Sequence, residues 1–344
     1  MKALLMINKS FLLMIISLFL SLSAFSQENE IFTRDSSHNE TVYFSISENI
    51  GLVNGNISEY VYWFGVCLND DGLLSKLDWD VKNIFYLEEK IRFDIAKYIY
   101  LGLDVFSAFS KKSGNMQDYD WLNYQYWPDD NPTELTNYSI HDNYLLDFTK
   151  IDFSLGLNFF IIPQTILSAS VGYEYSLINF DGRDGYRTYK KDNWEAFPFS
   201  GKVISYRQVF HIPFIELSLR TKIIPHFLIN ADIAISPFLT AINAYDYHWV
   251  NSSAGGTVYW DKIINSFTLK IAAGVNYNFA KHHNFGLNAS INYTPISIGT
   301  DYSKHLDSDG NISSSNTDWL QQSCFGGTSN FLWSIALAYT FTLF

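Results

Sequence analysis

Two short motifs in the sequence carry residue types suited to acid–base chemistry. Asp118 and Asp120 are two residues apart, and in an extended chain this spacing places both side chains on one face. Neighbouring carboxylates repel each other, so their ionisation is coupled and the pair can hold and polarise a water molecule. Asp246 and His248 have the same spacing, and a carboxylate beside an imidazole fixes its tautomer and stabilises its cation. Both motifs are therefore candidates for activating water.

Each motif alone is also typical of sites without catalysis. An Asp-x-Asp sequence is common in solvated turns, and a histidine in a loop is commonly a surface residue. Asp118 and Asp120, joined by Asp129 and Asp130, would also supply the oxygen ligands that a calcium ion prefers. The eight histidines include no HExxH sequence, so a zinc peptidase motif is missing. The function depends on whether the fold brings the two motifs together.

A long alternation of apolar and charged side chains predicts the secondary-structure elements that position the two motifs. In residues 77–95 the odd positions are mostly apolar, from Leu77 to Ile95, and most even positions from Asp78 to Asp94 are charged. This run is much longer than the strands of soluble proteins, which usually have about five or six residues. Strands that cross a membrane as a barrel are that long. We expect the charged face to line the lumen and the apolar face to contact lipid.

Turn signals then predict the number of strands. Short breaks occur at residues 96–98, 163–164, 225–226 and 281–283, and longer polar stretches at 60–75, 111–142, 181–204, 246–261 and 302–328. Four short turns and five long loops give ten strands. The predicted fold class is all-β, a ten-stranded antiparallel transmembrane β-barrel whose short turns face the periplasm and whose long loops are extracellular. Such a barrel is too narrow for a wide aqueous channel, which leaves a small channel as an alternative.

Composition agrees with this fold. Aromatic residues make up 17% of the chain, which suits the aromatic girdles of an outer-membrane barrel. The formal charge of −12 argues against nucleic acid as a partner and favours cationic substrates.

Residues 1–26 are predicted to be a signal peptide, because a basic start and a short apolar run precede a small-x-small sequence. Residues 27–344 then form one domain.

The two cysteines do not form a recognisable motif. Cys67 lies in the first predicted loop and Cys324 in the last, and these loops are neighbours once a barrel closes. An exported protein can hold a disulfide at such a place, and the sequence leaves both the bridged and the unbridged state open.

The sequence resembles the omptin family of outer-membrane aspartate/histidine proteases over nearly the whole predicted domain. The matching blocks, in chain order, are Ser75 to Trp79, Gly114 to Met116 with Asp118, Asp120 and Trp121, Tyr206 to Gln208 with Phe210 and Pro213 to Ile215, Asp246 with His248, and Asp301 to Lys304. The resemblance implies a ten-stranded barrel with an active site in a groove at its extracellular top. It also implies localisation in the bacterial outer membrane.

The resemblance further implies roles for single residues. His248 would be the general base, oriented by Asp246, and a water between His248 and Asp118 would attack the peptide carbonyl. Asp120 would support Asp118, with no metal, no cofactor and no covalent intermediate. Glu59 matches an acidic residue of the pocket that binds a basic substrate side chain. The implied partners are peptides or proteins with basic residues, together with outer-membrane lipid.

The sequence departs from the family pattern at several positions. Ala244 stands where a second pocket carboxylate is expected, and Asn137, or less closely Glu134, stands where another pocket carboxylate is expected. Leu177 and Val209 stand where the family has arginines that bind lipopolysaccharide, which leaves activation by lipopolysaccharide open. These departures favour an alternative function, in which the barrel is a catalytically altered adhesin or binding protein.

Overall fold

A computed structural model describes residues 42–63, 72–95, 98–122, 134–162, 164–249, 256–307 and 318–343. The predicted signal peptide, Cys67, Asp129 and Asp130 lie outside these residues. Within them, the strands are β1 (Val42–Tyr62), β2 (Leu73–Ile95), β3 (Ile99–Ala108), β4 (Lys111–Asp120), β5 (Asn137–Ile162), β6 (Thr165–Tyr189), β7 (Ala196–Pro198), β8 (Lys202–Ile224), β9 (Phe227–His248), β10 (Thr257–Ala280), β11 (His283–His305) and β12 (Leu320–Leu343). A short 3-10 helix, Lys190–Asp192, precedes β7.

The strands form a closed antiparallel ring of ten. β3 and β4 both lie between β2 and β5, so they are two segments of one interrupted wall strand. β7 pairs with β6 alone and stands outside the ring. Pairing of β1 with β12 and of β5 with β6 closes the barrel. Closure leaves no unpaired edge within the ring of ten described strands, as a structure that crosses lipid requires. The predicted fold class is confirmed.

The two ends of the barrel differ in their connections. Short connections join β2 to β3, β5 to β6, β8 to β9 and β10 to β11 at one end, which we call the turn end. Longer connections lie at the opposite, loop end. Here the predicted boundaries were wrong, because the strands continue well into the polar stretches. β6, for example, extends to Tyr189 and β12 already contains Cys324. Backbone pairing continues above the membrane, where the outer face contacts water instead of lipid and no longer needs apolar side chains.

An apolar belt surrounds the outside of the barrel near the turn end. Its exposed side chains include Phe153, Leu155, Leu157, Ile215, Leu217, Ile271, Val275, Leu287, Ile335 and Leu337. Exposed aromatic residues lie towards both edges of the belt, among them Tyr98, Phe227, Tyr277, Tyr173, Phe238 and Tyr293. This arrangement of a lipid-facing band between aromatic girdles is typical of outer-membrane barrels. No helix in the described ranges has the length and apolar character needed to cross a membrane.

One predicted face assignment was wrong. We expected the odd positions of residues 77–95 to face lipid throughout, but Leu77, Trp79 and Val81 are buried inside the barrel. The alternation changes face at Asn83, which has a positive φ of 53°, and the register with β1 shifts at the same place. This bulge inserts one extra residue, so below it the odd position Phe85 faces outward and is 55% exposed.

Side chains fill the lumen below the loop end. Trp79 is fully buried and stacks on Phe180 and Tyr206, with ring centroids 5.6 and 5.5 Å away. Deeper in the barrel, Lys270 forms salt bridges to Asp152 at 3.0 Å and to Glu174 at 2.8 Å, joining β10 to β5 and β6 across the lumen. These contacts fix the walls that carry the two motifs.

Candidate active site

The first motif lies at the loop end of β4. Asp118 is the cross-strand partner of Leu77 and Asp120 that of Ser75. Ser75 lies beside both carboxylates and partly offsets the increase in their pKa values. The Asn137 side-chain amide donates to Asp120 Oδ2 at 3.4 Å. Asn137 therefore contacts Asp120 directly. The paired strands hold both carboxylates towards the lumen, as their spacing predicts.

The second motif forms the last residues of β9. Asp246 is buried, with 4% of its surface exposed, and its cross-strand partners are Tyr206 on β8 and Tyr259 on β10. His248 Nε2 and Asp246 Oδ2 form a hydrogen bond. The His248 ring also meets the edge of the Tyr259 ring at a centroid distance of 5.4 Å. These contacts hold the imidazole in one orientation and leave Nδ1 as the nitrogen able to accept a proton.

The motifs lie on different walls of the barrel and interact across its lumen. Three wall strands, β5, β6 and β8, separate β4 from β9 on one side and five separate them on the other. Burial lowers the pKa of His248, but Asp246, helped by Asp118 and Asp120, outweighs burial and raises it to about 9. Burial, followed by Asp120, raises the pKa of Asp118 well above its ordinary value, and His248 opposes this increase. Burial also raises the pKa of Asp120.

The site holds polar atoms that have no partner within the protein. Asp118 Oδ1 and Asp246 Oδ1 are both buried without a hydrogen bond. Buried carboxylate oxygens normally have hydrogen-bond partners because leaving them unsatisfied is costly. A carboxylate and an imidazole that face each other in this way can together orient a water and accept its proton.

Glu59 lies on β1, in another part of the lumen wall, within a group of carboxylates. It is 2% exposed, and its Oε2 has no hydrogen-bond partner. Burial raises its pKa well above the ordinary value, and the neighbouring carboxylates Asp246, Asp261, Asp118 and Asp301 raise it further. We call Glu59, Asp246, Asp261 and Asp301 the acidic cluster. A cluster of this kind favours a bound cation.

Two members of the acidic cluster were missed as site residues in the sequence. Asp261 is a single aspartate in Trp260-Asp261-Lys262, and no spacing rule marks it. Asp301 belongs to one of the blocks that resemble the family, but its local sequence does not mark it as a site residue. Their proximity depends on the pairing of β10 with β11, in which Asp261 and Asp301 are direct cross-strand partners. Only the register between these two strands reveals this arrangement.

The remaining residues named from the sequence lie in different places. Ala244 is buried in the lumen wall next to Asp246, whereas Glu134 forms a 3.0 Å salt bridge to Lys190. Leu177 and Val209 are cross-strand partners on β6 and β8, so the two positions named for lipid contact are adjacent on the barrel wall. Within the described parts of the chain, no group of three or more acidic, histidine or cysteine side chains has an arrangement suited to a metal ion.

Comparison with known sequences identifies the family. Residues 40–341 match the sequence profile described as the omptin family. The chain belongs to the omptin family. The predicted membership is thereby confirmed, and the match covers the barrel from its first described strand to its last.

Individual relatives agree with this assignment. This omptin is 25% identical over 231 residues to the plasminogen activator of Yersinia pestis, covering 65% of this chain and 70% of that protein. It is 28% identical over 178 residues to Protease 7 of Escherichia coli K12, covering 49% of this chain and 53% of that protein. The second match therefore spans about half the length of the relative.

A solved structure supports the fold. The crystal structure of the outer-membrane protease OmpT from Escherichia coli superposes with a TM-score of 0.73 at 21% identity, covering 88% of this chain and 97% of that one. Another relative, from Escherichia coli K12, is named outer membrane protease OmpP. Together with the apolar belt, these findings place this omptin in the bacterial outer membrane.

Proposed function

We propose that this omptin is an endopeptidase that hydrolyses peptide bonds next to basic residues, with its loop end facing the cell exterior. The observation that carries the proposal is the position of Asp118 and His248 on separate walls of one lumen, close enough to act on each other's charge. The relatives named above are a plasminogen activator and proteases, which agrees with peptide or protein substrates. In this proposal residues 1–26 are removed on export, and residues 27–344 form the mature domain.

The proposed reaction is direct attack by water. Asp118 and His248 hold a water between them, and His248 accepts its proton at Nδ1 while Asp246 holds Nε2. The hydroxide adds to the peptide carbonyl carbon to give a tetrahedral intermediate. His248 then returns the proton to the departing amine as the carbon–nitrogen bond breaks. Asp120 lies beside Asp118 and helps to keep the pKa of that carboxyl raised, and neither a covalent intermediate nor a cofactor takes part.

Substrate preference follows from the acidic cluster. Glu59 is buried with an unpartnered oxygen and lies among carboxylates that raise its pKa. An arginine or lysine side chain of the substrate would neutralise this charge and satisfy the free oxygen with a charge-assisted hydrogen bond. A neutral side chain would leave the carboxylates buried and unpaired, which is costly.

A fluorogenic peptide with two adjacent arginines tests the proposal. Purified protein refolded in detergent, with and without lipopolysaccharide, is expected to cut beside an arginine, as mass spectrometry of the products would establish. His248→Ala should be inactive. Asp142→Asn alters a partly exposed aspartate that pairs with Lys112, and this variant should retain wild-type activity. Absence of turnover by the wild type across several basic peptides and both lipid conditions would reject the protease function.

The second candidate function is a non-enzymatic adhesin or binding barrel. Two observations favour it: Ala244 stands in place of a carboxylate, and the paired residues Leu177 and Val209 stand in place of arginines. A shared barrel does not determine a shared activity. Binding of a basic peptide that remains intact after prolonged incubation would support this candidate over the protease.

A further inference from the structure

We propose that Asp261 supplies the second carboxylate that binds the basic side chain of the substrate, acting together with Glu59 and supported by Asp301. This inference rests on the proposed function and identifies a specificity-determining residue for it. Asp261 on β10 would take the place of the carboxylate that is expected at position 244 on β9, where this chain has alanine.

Strand register is the first observation. Asp261 on β10 is the direct cross-strand partner of Ala244 on β9, and both are buried, with 5% and 1% of their surface exposed. Cross-strand partners lie side by side, with Cβ atoms about 5 Å apart. A carboxylate on residue 261 therefore enters the part of the lumen that a carboxylate on residue 244 would occupy.

The direction of the Asp261 side chain is the second observation. A Cβ atom built on Gly326 would lie only 1.7 Å from Asp261 Oδ1, so the carboxylate lies directly against the bare backbone of β12. β12 is the neighbour of β1, which carries Glu59 opposite Thr328. The Asp261 side chain thus extends from β10 past β11 towards Glu59. Glycine at position 326 provides the space for this approach.

Unsatisfied oxygens are the third observation. Glu59 Oε2, Asp246 Oδ1 and Asp301 Oδ1 are buried without hydrogen-bond partners, and Glu59 and Asp301 are at most 5% exposed. After burial, the charges that raise the pKa of Asp261 are the carboxylates of Asp301 and Asp246. The cluster therefore has both the charge and the free acceptor atoms to bind a guanidinium or ammonium group.

The test compares the wild type with two variants. The first is Asp261→Asn. The second is a double variant, Asp261→Asn combined with Ala244→Asp, which moves the carboxylate from β10 to the neighbouring position on β9. Asp142→Asn is the matched control. The first readout is the ratio of kcat/KM for an arginine peptide to that for its neutral isostere with citrulline. The second is binding of butylguanidine, which carries the arginine head group without a peptide bond, against neutral butylurea. Far-UV circular dichroism establishes that each variant is folded.

We expect Asp261→Asn to lower the arginine-to-citrulline ratio and the butylguanidine affinity about tenfold or more, since a hydrogen bond between charged groups is lost. The double variant should recover most of the arginine-to-citrulline ratio and most of the butylguanidine affinity. Asp142→Asn should change neither quantity. A folded Asp261→Asn variant with unchanged ratio and affinity would overturn the inference. If the wild type binds butylguanidine through Asp261 but cleaves nothing, the binding site stands and the proposed function fails. If the wild type neither binds nor cleaves, both fail.

Discussion

The hydrogen bond between His248 and Asp246 determines how the site responds to pH. Burial disfavours the imidazolium, but Asp246 and the aspartates across the lumen raise the pKa of His248 to about 9. At neutral pH the histidine is therefore mostly protonated. The neutral form, which accepts a proton from water in the proposed reaction, increases as pH rises towards 9. Because the groups are coupled, the observed value belongs to the site as a whole.

The first prediction concerns this pH dependence. We expect kcat/KM of the wild type to rise with pH with an apparent pKa of about 9. Asp246→Asn removes the carboxylate that most strongly favours the charged histidine, so its rising limb should move to lower pH. Its maximal kcat/KM should also fall about a hundredfold or more, since the base is no longer held and stabilised. Rates measured from pH 6 to pH 10 test this, and a rising limb unmoved by the substitution would contradict it.

At the residue scale, the sequence predicts what local spacing encodes. Asp118 with Asp120, and Asp246 with His248, are visible because each pair lies on one short extended segment. Asp261 is invisible because its relation to Ala244 exists only through the pairing of β9 with β10. Long-range register, which no short motif contains, decides that part of the site.

The change of face within β2 connects the strands to the site. At Asn83 the Asn54 side chain accepts a hydrogen bond from the backbone N–H at 2.8 Å, and the bulge turns Trp79 into the lumen. Trp79 then stacks on Tyr206, the cross-strand partner of Asp246. One irregular position therefore helps to support the wall that holds the second motif.

The second prediction tests this support. Trp79→Ala removes a fully buried ring from the stack with Phe180 and Tyr206, so the free energy of unfolding should fall by about 3–5 kcal/mol. Urea unfolding in lipid vesicles, followed by circular dichroism, measures the loss. Phe85→Ala, at an outward position on the same strand, should cost less because its side chain is 55% exposed. Equal losses for both would contradict the reassigned faces.

At the element scale, alternation predicts strands well and their faces less well. The pattern in residues 77–95 correctly predicts one long strand, and the breaks after each alternating run correctly give ten wall strands. The pattern cannot reveal the bulge at Asn83, because apolar side chains serve equally in the lumen above it and in the lipid-facing belt below it. Strand ends also extend beyond the pattern, as in β6, since paired polar residues above the membrane need no alternation.

The whole molecule separates a part that contacts lipid from a part that carries the site. The apolar belt lies towards the turn end, while Glu59, Asp118 and His248 lie near the loop end of long strands. Paired strands and the Trp79 stack connect the two parts. Insertion into the membrane and cleavage of substrate should therefore respond to different substitutions.

The third prediction tests this separation. Ile335→Lys places a charge in the middle of the apolar belt, at a side chain that is 49% exposed, and should destabilise the inserted barrel by about 2–4 kcal/mol. Leu320→Lys, with equal exposure at the loop end, should have little effect. Unfolding measured in vesicles tests both, and the folded fraction of each should keep wild-type kcat/KM. A larger loss for Leu320→Lys would contradict the position of the belt.

A double-mutant cycle measures whether Asp118 and His248 act as one unit across the lumen. The values of kcat/KM for an arginine peptide are compared between the wild type, Asp118→Asn, His248→Ala and the double variant. Both single variants should lose about a thousandfold. If both side chains activate the same water, the double variant should lose no more than the worse single variant. Losses that simply multiply would mean independent roles for the two residues and would contradict the account.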